Sequence, residues 1–169
     1  MNVESMLDDI LRREAGFVDH DADRGGPTNK GITLATLEAW RGRETSIIDL
    51  QALTAGEARE IYRERYLRAP GLDRIRDPDV LALAFDCAVN HGAPRVVRWI
   101  QKIVGVIDDG VMGPRTAAAI DNCDPRTLYR RLIARRIEFY GEIINRNHAQ
   151  AVFALGWLRR AAEFVERTP

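Results

Sequence analysis

Glu14 is the residue whose type and position are best suited to chemistry. It lies four residues after Ile10 and seven after Leu7, so it continues an apolar helical stripe. A carboxylate on the core-facing stripe at a helix end, beside a polar glycine-rich loop, is partly desolvated. Desolvation disfavours its charged form, and the negative end of the helix dipole pushes the same way. A general acid working near neutral pH needs such a raised pKa. The plain alternative is a solvated last-turn carboxylate paired with Arg12, Arg13 or Arg24. The segment that follows adds partners. Asp19, Asp21 and Asp23 carry carboxylates, while Thr28, Asn29 and Thr33 carry hydroxyl and amide groups. Gly25 and Gly26 let the backbone fold tightly between Gly16 and Gly31. Asp23 follows Glu14 by nine residues, and Thr28 follows Asp23 by five. An acid facing an Asp and a Thr that can position water supplies the parts of inverting glycoside hydrolysis. The competing reading makes the Asp residues ordinary loop carboxylates that accept backbone hydrogen bonds in Asx turns. Their spacing is not that of an EF-hand calcium loop.

Asp86 is the other carboxylate of interest, because it is alone in an otherwise apolar helix. A buried charge must be paired or hydrogen-bonded. Asn90, four residues later, shares its face. Two readings stand. Either Asp86 and Asn90 line the floor of a cleft near Glu14 and bind sugar, or Asp86 is structural and is paired with an Arg. His91 reads as a helix-end group rather than a catalyst. With His20 and His148 it makes no metal-binding spacing, and Cys87 and Cys123 make none either. Neither a metal nor a cofactor is expected. Trp40, Trp99 and Trp157 sit in helical patterns and are read as packing residues, with sugar stacking as the alternative for one of them. Arg130, Arg131, Arg135 and Arg136 read as a solvated face that could also meet an anionic partner.

The elements that must position these groups are helical. Val3, Met6, Leu7, Ile10 and Leu11 form a first stripe, stopped by Gly16. Residues 16–32 hold five Asp, Asn or His and four Gly, a long polar loop of the kind that carries function. Thr33 caps a short helix through Trp40, and Thr54 to Glu57 is a capping box for a helix toward Tyr66. Asp77-Pro78 opens a helix over Val80–His91 that is apolar almost all round, the expected central helix. Pro94 starts another through Val104. Gly105–Pro114 is a loop, and Thr116–Ile120 a short helix. Asp124-Pro125 opens a long helix striped by Leu128, Leu132, Ile133, Ile137, Tyr140 and Ile144. A last helix carries Val152, Phe153, Leu155, Leu158, Ala161, Phe164 and Val165. The fold class is all-α, with a short β hairpin within residues 16–32 left open. A soft boundary falls near Gly92–Pro94, giving regions 1–93 and 94–169 packed together without a linker.

The 169 residues are 46% hydrophobic and 30% charged, enough apolar material for a core and too much for disorder. No apolar run is long enough to span a membrane, and stable membrane insertion is not expected. Net charge is zero, but residues 1–94 carry −5 and residues 95–169 carry +5. The acidic first half and the lack of interleaved basic and aromatic residues argue against nucleic acid. A split of this kind suits a second half that meets an anionic partner. The N-terminus has no basic region followed by an apolar one, so a protein made and kept in a cytoplasm is expected.

The run Glu14-Ala15-Gly16-Phe17-Val18, followed by Asp23 through Thr33, resembles glycoside hydrolase family 108, N-acetylmuramidases of phage and bacterial origin. The likeness continues in Ile61–Tyr66 and Phe85–Gly92. Ile100–Val106, Asp109–Thr116 and Gly156–Arg160 are similar to that family's C-terminal predicted peptidoglycan-binding region. The Glu, Asp and Thr order is also similar, at a coarse level, to that of phage-type lysozymes. The resemblance implies a lysozyme-like helical fold and cleavage of the β-1,4 bond between N-acetylmuramic acid and N-acetylglucosamine. It carries the catalytic acid over to Glu14, and the Glu, Asp, Thr spacing makes Asp23 and Thr28 the candidate catalytic partners. Asn29, Thr33, Asp86 and Asn90 become candidates for binding substrate. Ala15 stands where the family motif has its first Gly, while Gly16 is kept. Peptidoglycan is the expected partner, and a monomer the expected state. The alternative is a non-catalytic peptidoglycan-binding or secretion-associated module on the same fold.

Overall fold

The computed structural model describes residues 3–13, 16–18 and 26–166. Glu14, Asp19, His20, Asp21 and Asp23 lie outside them. The chain forms two compact units, residues 2–65 and 66–169.

In the first unit, α1 (Val3–Arg13) buries Met6, Leu7 and Ile10, as its periodicity predicts. It packs against α4 (Ala55–Arg63), which buries Ala58, Ile61 and Tyr62. Arg59 pairs with Glu4 and Asp8, and Arg63 pairs with Glu4, so charge registers the two helices along their exposed edge. Three strands of two residues each follow α1: β1 (Phe17–Val18), β2 (Thr28–Asn29) and β3 (Ile32–Thr33), antiparallel in that order. The short hairpin left open by the sequence is therefore present, with β1 added at its edge.

Thr33 caps α2 (Leu34–Arg41), its hydroxyl accepting from Thr36 N at 3.2 Å. Thr54 caps α4 by accepting from Glu57 N at 3.1 Å. The second half of the expected capping box is absent, because the Glu57 carboxylate instead takes two hydrogen bonds from Arg41, each 2.8 Å. The complete box stands at α3 (Ile47–Gln51), between Ser46 and Asp49. There the Ser46 hydroxyl and backbone N–H hold the Asp49 carboxyl down to about 2.

In the second unit, α5 (Pro78–His91) starts at Asp77, whose carboxylate accepts from Asp79 N and Val80 N. Val80, Ala82, Leu83, Ala84, Phe85, Cys87 and Ala88 are buried along it, so it is the central helix of this unit. It packs against α6 (Ala93–Val104) and α8 (Pro125–Arg146). Gly92, at φ +85°, joins α5 directly to α6, a conformation that L side chains rarely adopt. Between α6 and α8, α7 (Pro114–Asp121) begins two residues earlier than its apolar pattern suggests.

On α8 the buried line is Leu128, Tyr129, Leu132, Ile133, Arg136, Phe139 and Tyr140. The expected stripe is corrected at one turn: Ile137 is exposed, and Arg136 takes the inward position. After α8, residues His148–Phe153 form a 3-10 turn and α9 spans Ala154–Val165. Only Ala161 and Phe164 of the expected α9 stripe are buried. Val152, Phe153, Leu155, Leu158 and Val165 are exposed.

His91, at the end of α5, sits among Trp99, Phe139 and Tyr140, with ring centroids 5.3–5.6 Å away. Its Nε2 is buried with no hydrogen-bond partner among the described residues. Burial, reinforced by the Arg136 charge, pushes its pKa down to about 4 from an ordinary 6.5. The unfolded chain therefore takes up a proton at His91 before the folded protein does. Stability should fall as pH drops from about 6.5 toward 4, by up to about 1.4 kcal/mol per pH unit. His91→Phe keeps the packing and removes the proton, so it should flatten this slope between pH 6.5 and 4.5. Denaturant midpoints across that window check it, and identical slopes for the two proteins would exclude the mechanism.

Candidate functional site

In the first unit the candidate site centres on the hairpin that carries Thr28, Asn29 and Thr33. Thr28 pairs with Thr33, and Asn29 with Ile32. The two residues between them, Lys30 and Gly31, have φ of 51° and 71°. Positive φ at both positions makes a type I′ turn, whose twist matches that of its strands. Gly31 adopts this conformation freely. Lys30 does not, and four contacts fix it there. Its N–H donates to Gly16 O at 3.1 Å, and its Nζ donates to Leu53 O at 3.0 Å. Nζ also reaches Asn29 Oδ1 at 3.4 Å, and the Tyr62 hydroxyl donates to Lys30 O at 3.1 Å.

Asn29 completes the anchorage. It is buried, and its Nδ2 donates to Leu50 O at 2.8 Å and Gln51 O at 3.1 Å. These carbonyls belong to the last turn of α3, where Leu50 O also accepts from Leu53 N at 3.2 Å. Asn29 was expected to bind substrate. Its amide is instead committed to holding the hairpin on α3. Thr33 serves as the α2 cap and shares a 2.9 Å contact with the Thr36 hydroxyl. Thr28 is half-buried on β2, opposite Thr33, and it is the expected site residue whose hydroxyl has no structural bond among the described residues.

Backbone pairing links the hairpin to the segment after Glu14. Phe17 pairs with Asn29, and Val18 with Thr28. Gly16, two residues beyond Glu14, has φ +113°, where a side chain would be strained. Lys30 and Tyr62 are the positioning residues that spacing alone did not single out. Both lie in runs that carry the family resemblance, which is the signal by which they could have been found.

In the second unit, Asp86 resolves its two readings in favour of the ion pair. Arg160 grips it from α9, with Nη2 to Oδ1 at 2.7 Å and Nε to the two oxygens at 3.1 and 3.2 Å. Arg136 from α8 places Nη2 at 2.8 Å from Oδ2. The Arg136 side chain is fully buried, its Nε donates to Tyr140 Oη at 2.7 Å, and the rings of Tyr140 and Phe164 lie 5.7 and 5.6 Å from its guanidinium carbon. Asp86 therefore acts as a counter-charge, with both oxygens held by guanidinium groups. Asn90 is exposed, and its amide donates back to Asp86 O at 2.6 Å, a helix-surface bond that leaves its carbonyl oxygen to solvent. Trp99 is core, stacked at an angle on Phe139, whereas Trp40 is exposed and Trp157 half-buried against Tyr140. Among the described residues no group of His, Cys, Asp and Glu could hold a metal ion. No helix is long and apolar enough to cross a membrane.

Two family models match the chain in succession. Glycosyl hydrolase 108 matches residues 7–92, and a predicted peptidoglycan domain matches residues 95–162. Among solved structures, SagA of Brucella abortus is similar to it, with 34% identity and a TM-score of 0.81. The match covers 98% of this chain and 92% of SagA. No curated protein matches.

The two structural assignments are separable from substrate binding by stability alone. Asp86→Asn leaves two buried guanidinium groups without a counter-charge and should cost about 3–5 kcal/mol. Asn29→Asp turns a carboxylate toward two carbonyl oxygens and should cost about 1–3 kcal/mol. Guanidinium titrations of the two variants check both values. Wild-type stability for Asp86→Asn, with weakened saccharide binding, would return Asp86 to the substrate.

Proposed function

The chain belongs to the glycosyl hydrolase 108 family and is a glycoside hydrolase acting on peptidoglycan, and we propose that it is an N-acetylmuramidase with Glu14 as its general acid. The bond cut is the β-1,4 linkage between N-acetylmuramic acid and N-acetylglucosamine. The observation that carries this reading is the succession, in one short chain, of the hydrolase match and the peptidoglycan-domain match.

Glu14 donates its proton to the leaving glycosidic oxygen. Water adds to the anomeric carbon and passes its proton to the Asp23 carboxylate, with Thr28 positioning the water or the saccharide. A paired acid and base need environments that hold one carboxyl protonated and the other ionised, and this reading gives the first role to Glu14 and the second to Asp23. The support for Thr28 is its place on a hairpin tied to both Gly16 and α3, with a hydroxyl left for other work. A rigid mount of this kind is what a water-positioning group needs.

Glu14→Gln should fold normally and lose lytic activity by about 100- to 10,000-fold. Clearing of purified peptidoglycan, followed by mass spectrometry of the products, checks the rate and the bond. Reducing-end N-acetylmuramic acid is expected. A Gln variant that lyses at the wild-type rate removes Glu14 from the mechanism, and a wild-type protein that binds without lysing is the non-catalytic module. Alanine variants at Asp19, Asp21, Asp23 and Thr28 should rank Asp23 first in lost kcat, with less loss than Glu14→Gln. Equal small losses at all four would mean that the loop shapes the cleft and that the second catalytic group lies elsewhere.

A further inference from the structure

The four arginines Arg130, Arg131, Arg135 and Arg136 look alike in sequence, but α8 gives them three different fates. Arg136 is buried against Asp86. Arg135 pairs with Glu138 at 3.4 Å and Glu142 at 2.8 Å. Arg130 and Arg131 are exposed, as is Arg126 one turn earlier, and none of these three makes a salt bridge among the described residues. Arg130 and Arg131 flank a shallow groove of about 360 Å³, with Thr127 and Ala134 completing its lining. Two long cationic arms with small residues between them leave room for a planar anion.

This arrangement works against the helix that bears it. Arg126 and Arg130 stand at i and i+4, as do Arg131 and Arg135, and like charges at that spacing repel. Asp124, two residues before Arg126, caps the helix by accepting from Thr127 N at 2.8 Å and the Thr127 hydroxyl at 2.6 Å, and its carboxyl also feels the Arg126 charge. Exposed arginines that repel one another and make no salt bridge among the described residues break a local rule, and such breaks are expected where an external partner binds. The same half of the chain holds the +5 charge, and the patch lies inside the region matched by the peptidoglycan domain.

We propose that Arg126, Arg130 and Arg131 form a docking face for the free carboxylates of peptidoglycan peptide stems. The proposal rests on the reading that this protein acts on peptidoglycan, and names the residues and the chemical groups that hold the polymer. A guanidinium presents paired N–H donors in a plane that matches a carboxylate. Stems repeat along the glycan, so several weak pairs on one helix face can act together.

The test is co-sedimentation of the full chain with purified sacculi on ice, across a salt series. R126Q/R130Q/R131Q should bind roughly ten-fold more weakly or less and show a shallower salt dependence. R146Q, at the far end of α8 and equally exposed, removes a like charge and should bind as the wild type does. Circular dichroism should be unchanged for both. Sacculi whose carboxyl groups have been amidated with a carbodiimide should bind the wild type as weakly as native sacculi bind the triple variant. Wild-type affinity in the triple variant overturns the proposal, as does absence of any binding by the wild type. Full binding to amidated sacculi, lost when attached phosphate polymers are removed, also overturns it, by assigning the patch to phosphate. Lysis measured on warming the same samples separates the two readings. Patch-dependent binding without lysis defeats the hydrolase reading alone, and lysis with patch-independent binding defeats this one alone.

Discussion

Asp86 puts one negative charge inside a helical unit, and two guanidinium groups must reach it. Arg136 comes from α8 and Arg160 from α9, so the one carboxylate ties three helices at fixed register. A buried pair is weak evidence for stability as such, because desolvation offsets much of the attraction. Its strength is in directing which packing is allowed. An α8 rotated by one residue would bury Ile137 and expose Arg136, and Asp86 would lose a partner. The apolar contacts around it would tolerate that rotation; the charge does not. The aromatic groups follow from the same choice. Arg136 brings Tyr140 and Phe164 against its guanidinium, and Tyr140 in turn stacks on Trp157 at 5.3 Å.

The first unit solves a different problem. A three-stranded sheet with two residues per strand has too few ladder bonds to hold itself. Its stability comes from outside the strands. Asn29 and Lys30 both donate to carbonyls at and just beyond the end of α3. Tyr62, from α4, closes the turn from the other side. The hairpin adds side-chain donors to the carbonyls at the end of α3, so one set of bonds ties the hairpin to that helix end. The backbone of Gly16 and of the hairpin after Pro27 is thereby placed by α3 and α4.

Much of this was legible in the sequence where the signal was local. Thr33, Asp77 and Asp124 cap helices as their spacing indicates, because a cap needs only a side-chain oxygen and the next turn. The Ser46–Asp49 box went unread because the helix it opens has only five residues and no periodicity to announce it. The hairpin could only be left open, since two-residue strands cannot show alternation. The larger errors came from distant partners. Ile137 is the better hydrophobe, and only the presence of Asp86 on another helix makes Arg136 the inward residue. Asn29 looked available for substrate because the carbonyls that claim it are more than twenty residues away. Asp86 was ambiguous for the same reason, with one reading needing an Arg that spacing could not identify.

The arginines of α8 show how far composition can be taken. A +5 half-chain says that cations are in excess but not which of them are free. Helical phase decides. Positions in line with Leu132 and Tyr140 turn inward, and there a cation persists only against a buried anion. Positions one step around the helix meet the carboxylates of Glu138 and Glu142 within their own turn or the next. What remains, in the first turns of α8, faces solvent with no acid on the same stretch except the capping Asp124. The excess charge of the half-chain is thus sorted by one helix into a core contact, a self-satisfied surface pair and an unpaired remainder. That remainder is a property of register rather than of arginine content: moving Arg130 and Arg131 by two positions would preserve the +5 while facing one of them into the line of Leu132.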